Sequence, residues 1–332
     1  MEILVTGGTG YIGSTVCSAL IDNGHIPIIL DSKDNVDFTK DKHFYQGDMA
    51  DKKLLDKIFS DHPDIDFTIH LAGLIVVPDS VENPYEYYHE NVVKTLELFK
   101  NLNRLGCKNI VFSSSASIYD DSSDFTVSEE SSLNPRSPYA RTKFMLEMIL
   151  QDFCHSYEMR GISLRYFNPI GADPKLRTGS PIRFPSHLLG RLIKAISSEE
   201  EVLQITGTYW PTKDGTGLRD YIHVWDLALA HVKAVENFEN AFELSDDPKN
   251  PYLVLNIGKG EGITVKEFIT SFEKVYGKDL SKEETAPRPG DIVGAYANVE
   301  KAKKLINWNA SLSIEDGIRD ALRWNEKKFA NQ

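Results

Sequence analysis

The strand-like run Glu2-Ile3-Leu4-Val5-Thr6 passes directly into Gly7-Gly8-Thr9-Gly10-Tyr11-Ile12-Gly13. Glycines at this spacing let a buried strand turn tightly and open a helix, here over Ser14 to Asn23, with backbone amides exposed at the turn. Gly8, Gly10 and Gly13 satisfy G-x-G-x-x-G, and Gly7, Gly10 and Gly13 make a second glycine set. Both present amides at the positive end of a helix, where a pyrophosphate binds. The next apolar run, Ile26 to Leu30, ends in Asp31, 18 residues after Gly13. A carboxylate there can accept hydrogen bonds from an adenosine ribose and favours NAD over NADP. An ordinary tight turn followed by a surface aspartate has the same letters.

Alternation continues. His43 to Met49 reads as a short strand whose Asp48 can face an adenine, Leu54 to Phe59 as a helix, and Phe67 to Leu71 as a strand ending at Ala72-Gly73. A long amphipathic helix is predicted around Tyr87 to Leu102, then a strand, Asn109 to Phe112, ending in Ser113-Ser114-Ser115. After a polar loop, Ser137 caps a helix beginning at Pro138, and Ile162 to Phe167 is a further strand. The pattern predicts an α/β fold, a doubly wound Rossmann-type parallel sheet of about six strands over residues 1–171. From Ala172 the rhythm breaks into shorter pieces, read as a smaller mixed α/β substrate domain over 172–332, with room for the chain to cross back. Tyr252 to Gly258 and Val265 to Tyr276 are taken as packing elements of that domain.

A formal net charge of −12 without basic blocks argues against a nucleic-acid or anionic-membrane surface. Cys17, Cys107 and Cys154 are far apart and form no C-x-x-C pair, so neither a disulfide framework nor a metal site is expected. With no targeting pattern after Met1, a cytoplasmic protein is expected.

Tyr139 and Lys143 lie one helical turn apart and share a face. A free phenol, with a pKa near about 10, is a poor base at neutral pH, and a neighbouring ammonium can lower that value. The pair alone is a weak signal, since many solvated helices carry one. Ser115, at a strand end, can reach a substrate hydroxyl, although three serines also make a plain turn.

Thr6 to Gly13, Ser113 to Ser115, Ser137-Pro138-Tyr139 with Lys143, and Arg165 to Gly171 together resemble the extended short-chain dehydrogenase/reductase family. Asp214 to Val224, Asp226-Leu227-Ala228, Pro287 to Asp291 and Asn307-Trp308 extend the likeness over nearly the whole chain, toward members that invert C4 of UDP-sugars. The resemblance implies catalysis by Tyr139, Lys143 and Ser115. It implies NAD contacts from Gly7, Gly10, Tyr11, Ile12, Gly13, Asp31, Asp48, Met49, Ala72, Gly73, Asn91, Ser113, Tyr139, Lys143 and Tyr166. Ser115, Phe167, Asn168, Arg219, Arg288, Asp291 and Ala295 would hold the UDP-sugar. Two arginines converging on a diphosphate suit that role, although each alone reads as a surface ion pair.

The implied reaction interconverts UDP-galactose and UDP-glucose through a 4-keto intermediate, with transient hydride transfer to tightly bound NAD. A homodimer through the Tyr87 to Leu102 and Tyr139 to Phe153 helices is implied as well. Four positions depart from the family pattern: Ile75 in place of a lysine, Asp120 in place of a glycine, Ser186-His187 in place of an Asn-Leu pair, and Ala295. The last is small where a tyrosine would crowd the sugar's 2-substituent, so UDP-N-acetyl sugars are expected to fit unless Tyr296 closes the space or the register is off by one. Other NAD-dependent sugar-nucleotide epimerases, a 4,6-dehydratase and a non-enzymatic NAD-binding scaffold are the alternatives. Ser114, Ser115 and Ala116 lack the acid pair a dehydratase needs.

Overall fold

A computed structural model describes residues 1–197, 202–286 and 293–330. One parallel sheet contains β1 (Glu2–Thr6), β2 (Ile26–Asp31), β3 (His43–Gln46), β4 (Ile65–His70), β5 (Asn109–Ser115), β6 (Arg160–Tyr166) and β7 (Tyr252–Ile257). Their spatial order is β7-β6-β5-β4-β1-β2-β3. Strand order reverses between β1 and β4, so a crevice opens above their carboxyl ends.

Helices cover both faces because the central strands are buried on both. On one side α1 (Tyr11–Asp22) brings Val16 and Leu20 into the core. The opposite side is filled by α2 (Lys94–Leu105), with Leu98, Phe99 and Leu102, and α3 (Pro138–Tyr157), with Leu146 and Leu150. Phe99 is fully buried, and its truncation to alanine is expected to cost about 3–5 kcal/mol.

Two elements from within residues 172–332 belong to this first layer, the crossing back for which the sequence left room. β7 pairs with β6 along its length, from Tyr252 beside Gly161 to Ile257 beside Tyr166. α4 (Val224–Glu236) packs its Leu227, Ala228, Ala230 and Val232 into the core shared with α1. β6 is buried throughout after its first residue, and a strand so enclosed needs a partner on its outer edge. The expected long helix around Tyr87 to Leu102 is likewise interrupted: Pro84–Tyr87 is α-helical, Tyr88–Val93 forms a π-turn, and α2 follows. The wider turn carries Asn91 inward.

The smaller lobe has its own core, in which Leu192 of the Leu188–Ser197 helix, Phe268 and Phe272 of the Val265–Tyr276 helix and Ile318 of the Ile314–Phe329 helix meet. Between lobe and sheet lies a small cluster of Tyr119, Val127, Phe167 and Ala297, with Ala295 against it. Among the described residues no helix is long and apolar enough to cross a membrane.

Candidate active site

The glycine turn is built by close backbone approach. Gly7 has φ +70°, and a Cβ there would lie 2.7 Å from the Ala72 nitrogen. A Cβ on Gly13 would fall 2.1 Å from the Gly7 oxygen, so only glycine lets the helix start pack against the turn. Gly10 differs, since a Cβ there would meet only the Gly7 oxygen, at 3.3 Å, and its other side is open. Gly10 is also the N-cap of α1 and no side chain caps that first turn. Amides without a side-chain acceptor, above an open cradle, fit a pyrophosphate. Asp31, at the end of β2, accepts the Thr9 and Lys33 amides, each at 3.0 Å, which fixes its carboxylate over the turn.

Other residues expected at this site are placed with varied roles. The Tyr11 hydroxyl donates to the Gly171 carbonyl at 2.8 Å, tying the turn to the loop beyond β6; Ile12 packs against the core. Asp48 receives the Lys94 ammonium at 2.8 Å and the Ala50 amide at 2.9 Å. Burial pushes its carboxyl up, but these hydrogen bonds bring it below the usual range. Met49 is buried under the sheet's second face. Asn91 is committed to the loop after β4: its Oδ1 accepts the Leu74 amide at 2.7 Å, and its Nδ2 donates to the Leu74 carbonyl at 3.0 Å and to the Thr142 hydroxyl at 3.1 Å. It thereby shapes the Ala72-Gly73 segment, where a Cβ on Gly73 would lie 3.0 Å from the Asn91 Oδ1.

Ser137 caps α3 by accepting the Ala140 amide at 3.1 Å, with Pro138 in the first turn. This start aims Tyr139 and Lys143 at the end of β5. The Lys143 ammonium donates to the Ser113 carbonyl at 2.8 Å and the Ser113 hydroxyl at 3.2 Å. It lies 6.0 Å from the centre of the Tyr139 ring. Burial pushes the Tyr139 phenol above its ordinary value, and the nearby Ser115 hydroxyl opposes that shift. Burial outweighs any lowering by Lys143, whose ammonium is turned toward Ser113. Lys143 is spent on Ser113, and burial brings its own pKa down to about 8. Ser115 also meets the Ser117 hydroxyl at 2.9 Å.

Tyr166, at the end of β6, is hydrogen-bonded to His231 Nε2, whose other ring nitrogen meets the Leu227 carbonyl at 2.9 Å. Burial brings His231 down to about 4, so it is neutral at physiological pH. Phe167 lines the small cluster with Tyr119, and Asn168 is exposed. The Asn168 backbone amide donates to the Asp220 carbonyl at 2.9 Å. The Arg219 guanidinium donates to the Leu218 and Val293 carbonyls at 2.7 and 2.9 Å. Arg288 and Asp291 lie outside the described residues. Ala295 faces the Phe167 cluster, while the neighbouring Tyr296 ring packs at Gly262 and Leu218.

The departures acquire local explanations. Asp120 accepts Asn134 Nδ2 at 3.1 Å and Arg136 Nη2 at 2.9 Å, closing its own loop. His187 accepts the Gly190 amide at 3.3 Å near the start of the Leu188–Ser197 helix. Ile75 is 62% exposed. The sequence reading missed Glu147 and Arg165, whose buried pair lies directly behind Lys143. The i, i+4 spacing of Lys143 and Glu147 was the available signal.

Residues 3–258 match the NAD dependent epimerase/dehydratase family. The chain is 39% identical to the UDP-glucose 4-epimerase of Bacillus subtilis (strain 168), over 98% of this chain and 96% of that one. It is also similar to the UDP-glucose-4-epimerase from Stenotrophomonas maltophila solved with bound NAD and formylated UDP-arabinopyranose. Identity there is 32% and the TM-score 0.92, over 100% of both chains. For the UDP-glucose 4-epimerase from Bifidobacterium longum in complex with NAD+ and UDP, identity is 34% and the TM-score 0.87, over 100% of this chain and 99% of that one. A glycine turn open at Gly10 and the Lys143–Ser113 contact beside Tyr139, both at the carboxyl ends of the strands, with this likeness across the full length, make the chain a member of the NAD dependent epimerase/dehydratase family, in its UDP-glucose 4-epimerase group.

Proposed function

We propose that this protein interconverts UDP-galactose and UDP-glucose by inverting C4 of the sugar. The observation that carries the reading is the placement of Tyr139 and Lys143 on one helix face at the carboxyl end of β5, with the Lys143 ammonium hydrogen-bonded to Ser113, at the same end of the sheet as the open glycine turn. NAD, when bound, supplies reversible hydride acceptance at C4. The chain's part is to hold and move the proton: Tyr139 takes it from the 4-hydroxyl, directly or relayed by Ser115, and returns it after the 4-keto sugar has presented its other face. Against the burial that raises the phenol, the positive charges of Lys143, held at Ser113, and of the nicotinamide would together favour its ionised form. Gly7, Gly10, Tyr11, Ile12 and Gly13 are assigned to the pyrophosphate, Asp31 to the ribose and Asp48 and Met49 to the adenine side. Ala72, Gly73 and Asn91 shape the adjoining wall, with Ser113 and Tyr166 near the nicotinamide end.

Phe167, Asn168, Arg219, Arg288, Asp291 and Ala295 are assigned to the UDP-sugar, and the small Ala295 extends the substrate range to UDP-N-acetylglucosamine and UDP-N-acetylgalactosamine. In this reading residues 1–171 carry the cofactor and most of 172–332 the UDP-sugar, while β7 and α4 return to the first layer. A homodimer is supported by Val93, Leu96, Met145 and Met148, apolar side chains exposed on neighbouring helices. Free, buried cysteines support a reducing, cytoplasmic setting. Purified protein should convert UDP-galactose to UDP-glucose with no net oxidation. Products lacking water or changed at C6 would favour a 4,6-dehydratase instead.

A further inference from the structure

Behind the Tyr139–Lys143 face lies a buried charged network. Glu147 is one turn beyond Lys143 on α3, and its side chain and that of Arg165 are 5% and 4% exposed. Arg165 grips the carboxylate with two prongs, Nε to Oε1 at 2.9 Å and Nη2 to Oε2 at 2.7 Å. The remaining guanidinium nitrogen donates to the Tyr119 hydroxyl at 2.8 Å and the Glu129 carbonyl at 3.2 Å, and Tyr119 donates to Asn256 Oδ1 at 2.6 Å. The Ser114 hydroxyl donates to Glu147 Oε1. Sheet register sets Ser114 beside Arg165, between Ser113, which receives Lys143, and Ser115 at the strand end. A buried ion pair commonly does no better for stability than apolar side chains of the same volume. Its position therefore calls for another explanation.

We propose that Glu147 is a positioning residue for the C4 inversion: clamped by Arg165, it fixes the end of β5 through Ser114 and sets a carboxylate behind the Lys143 ammonium. This rests on the reading of Tyr139, Lys143 and Ser115 given above. Glu147 acts on Lys143 through its field, because the ammonium's own hydrogen bonds go to Ser113. Burial drives Lys143 toward its neutral form, and the Glu147 carboxylate opposes it. The other titratable groups facing this pair are Tyr139 on α3, His70 on β4, Arg165 on β6, Tyr252 on β7, and Tyr119, with Tyr166 of β6 next to Tyr139. His70 is held neutral, brought down to about 3 by burial and by the Lys143 charge. The carboxylate is thus the counter-charge on that side of Lys143.

Glu147→Gln keeps the shape and an oxygen for Ser114 but removes the charge. For the variant holding NAD, kcat for UDP-galactose should fall about tenfold or more with KM little changed. The alkaline limb of the kcat–pH profile should move down by about one pH unit or more, because Lys143 loses its proton earlier. The single change leaves the Arg165 guanidinium buried without its carboxylate, so Glu147→Gln with Arg165→Met is prepared beside it; Tyr119 keeps Asn256 as its acceptor. The double variant should recover the wild-type unfolding midpoint and NAD content while keeping the displaced limb, and it carries the test alone if the single variant does not fold. A limb coincident with wild type, or full recovery of kcat and limb in the double variant, overturns the proposal. Tyr139→Phe separates the two readings: turnover in that variant means the proton-carrier assignment has failed, whereas an inactive Tyr139→Phe with an unmoved limb means that only the Glu147 inference has.

Discussion

The Lys143 ammonium sits 2.8 Å from the Ser113 carbonyl, two residues before Ser115 on β5. It is a buried cation stabilised chiefly by backbone and hydroxyl oxygens, and its pKa is brought down from the ordinary lysine range to about 8. Activity that needs the ammonium should decline as pH rises through about that value. The unfolded chain holds this proton up to the ordinary lysine pKa, so between the two values it binds more protons than the folded protein does. Folded stability therefore rises with pH across that window, and below it Lys143 is a constant cost. Lys143→Met should raise the urea midpoint of the cofactor-free protein at pH 7 while abolishing epimerisation; a lowered midpoint would contradict this.

Tyr139→Phe preserves the ring and removes the proton carrier. The variant should copurify with NAD and lose at least about a hundredfold in kcat. Turnover near that of wild type would remove Tyr139 from the mechanism.

Asp31 faces the turn with both oxygens already accepting amides, so its negative charge cannot swing away from a 2′-phosphate. Apoprotein should be reconstituted by NAD and poorly by NADP, and Asp31→Ser should narrow the difference by about tenfold or more. Titration of apoprotein with each nucleotide, followed by activity, measures it.

Ala295 packs against the Phe167 cluster, while the Tyr296 ring lies at Gly262. Turnover of UDP-N-acetylgalactosamine is expected, and Ala295→Tyr should abolish it while sparing UDP-galactose. A wild-type protein active only on the unacetylated pair would show that the small side chain does not set the range.

Leu96 and Met148 are 40% and 43% exposed on neighbouring helices. Light scattering at micromolar concentration should give the mass of two chains, and Leu96→Glu with Met148→Glu should give one. A monomeric wild type would remove the proposed interface.

The glycine turn, the capped helix carrying Tyr139 and Lys143, and the alternation of strand and helix through β6 were legible in the chain itself. Each is a local device: a spacing, a cap residue, or an apolar period whose meaning does not depend on distant partners. Folding decided what depends on them. β7 was read as packing for the second lobe because a short apolar strand does not announce its neighbour, and only the buried edge of β6 assigns it. Asn91 is polar on an amphipathic helix in the sequence, yet it turns inward to hold Leu74, two positions that meet only after β4 and the π-turn are placed. The i, i+4 rule paired Lys143 with Tyr139, but the ammonium's direction was set by Ser113, and the Glu147–Arg165 clamp by the pairing of β5 with β6. Local periodicity specifies which residues share a face; which charge lies behind which is decided when the faces are packed together.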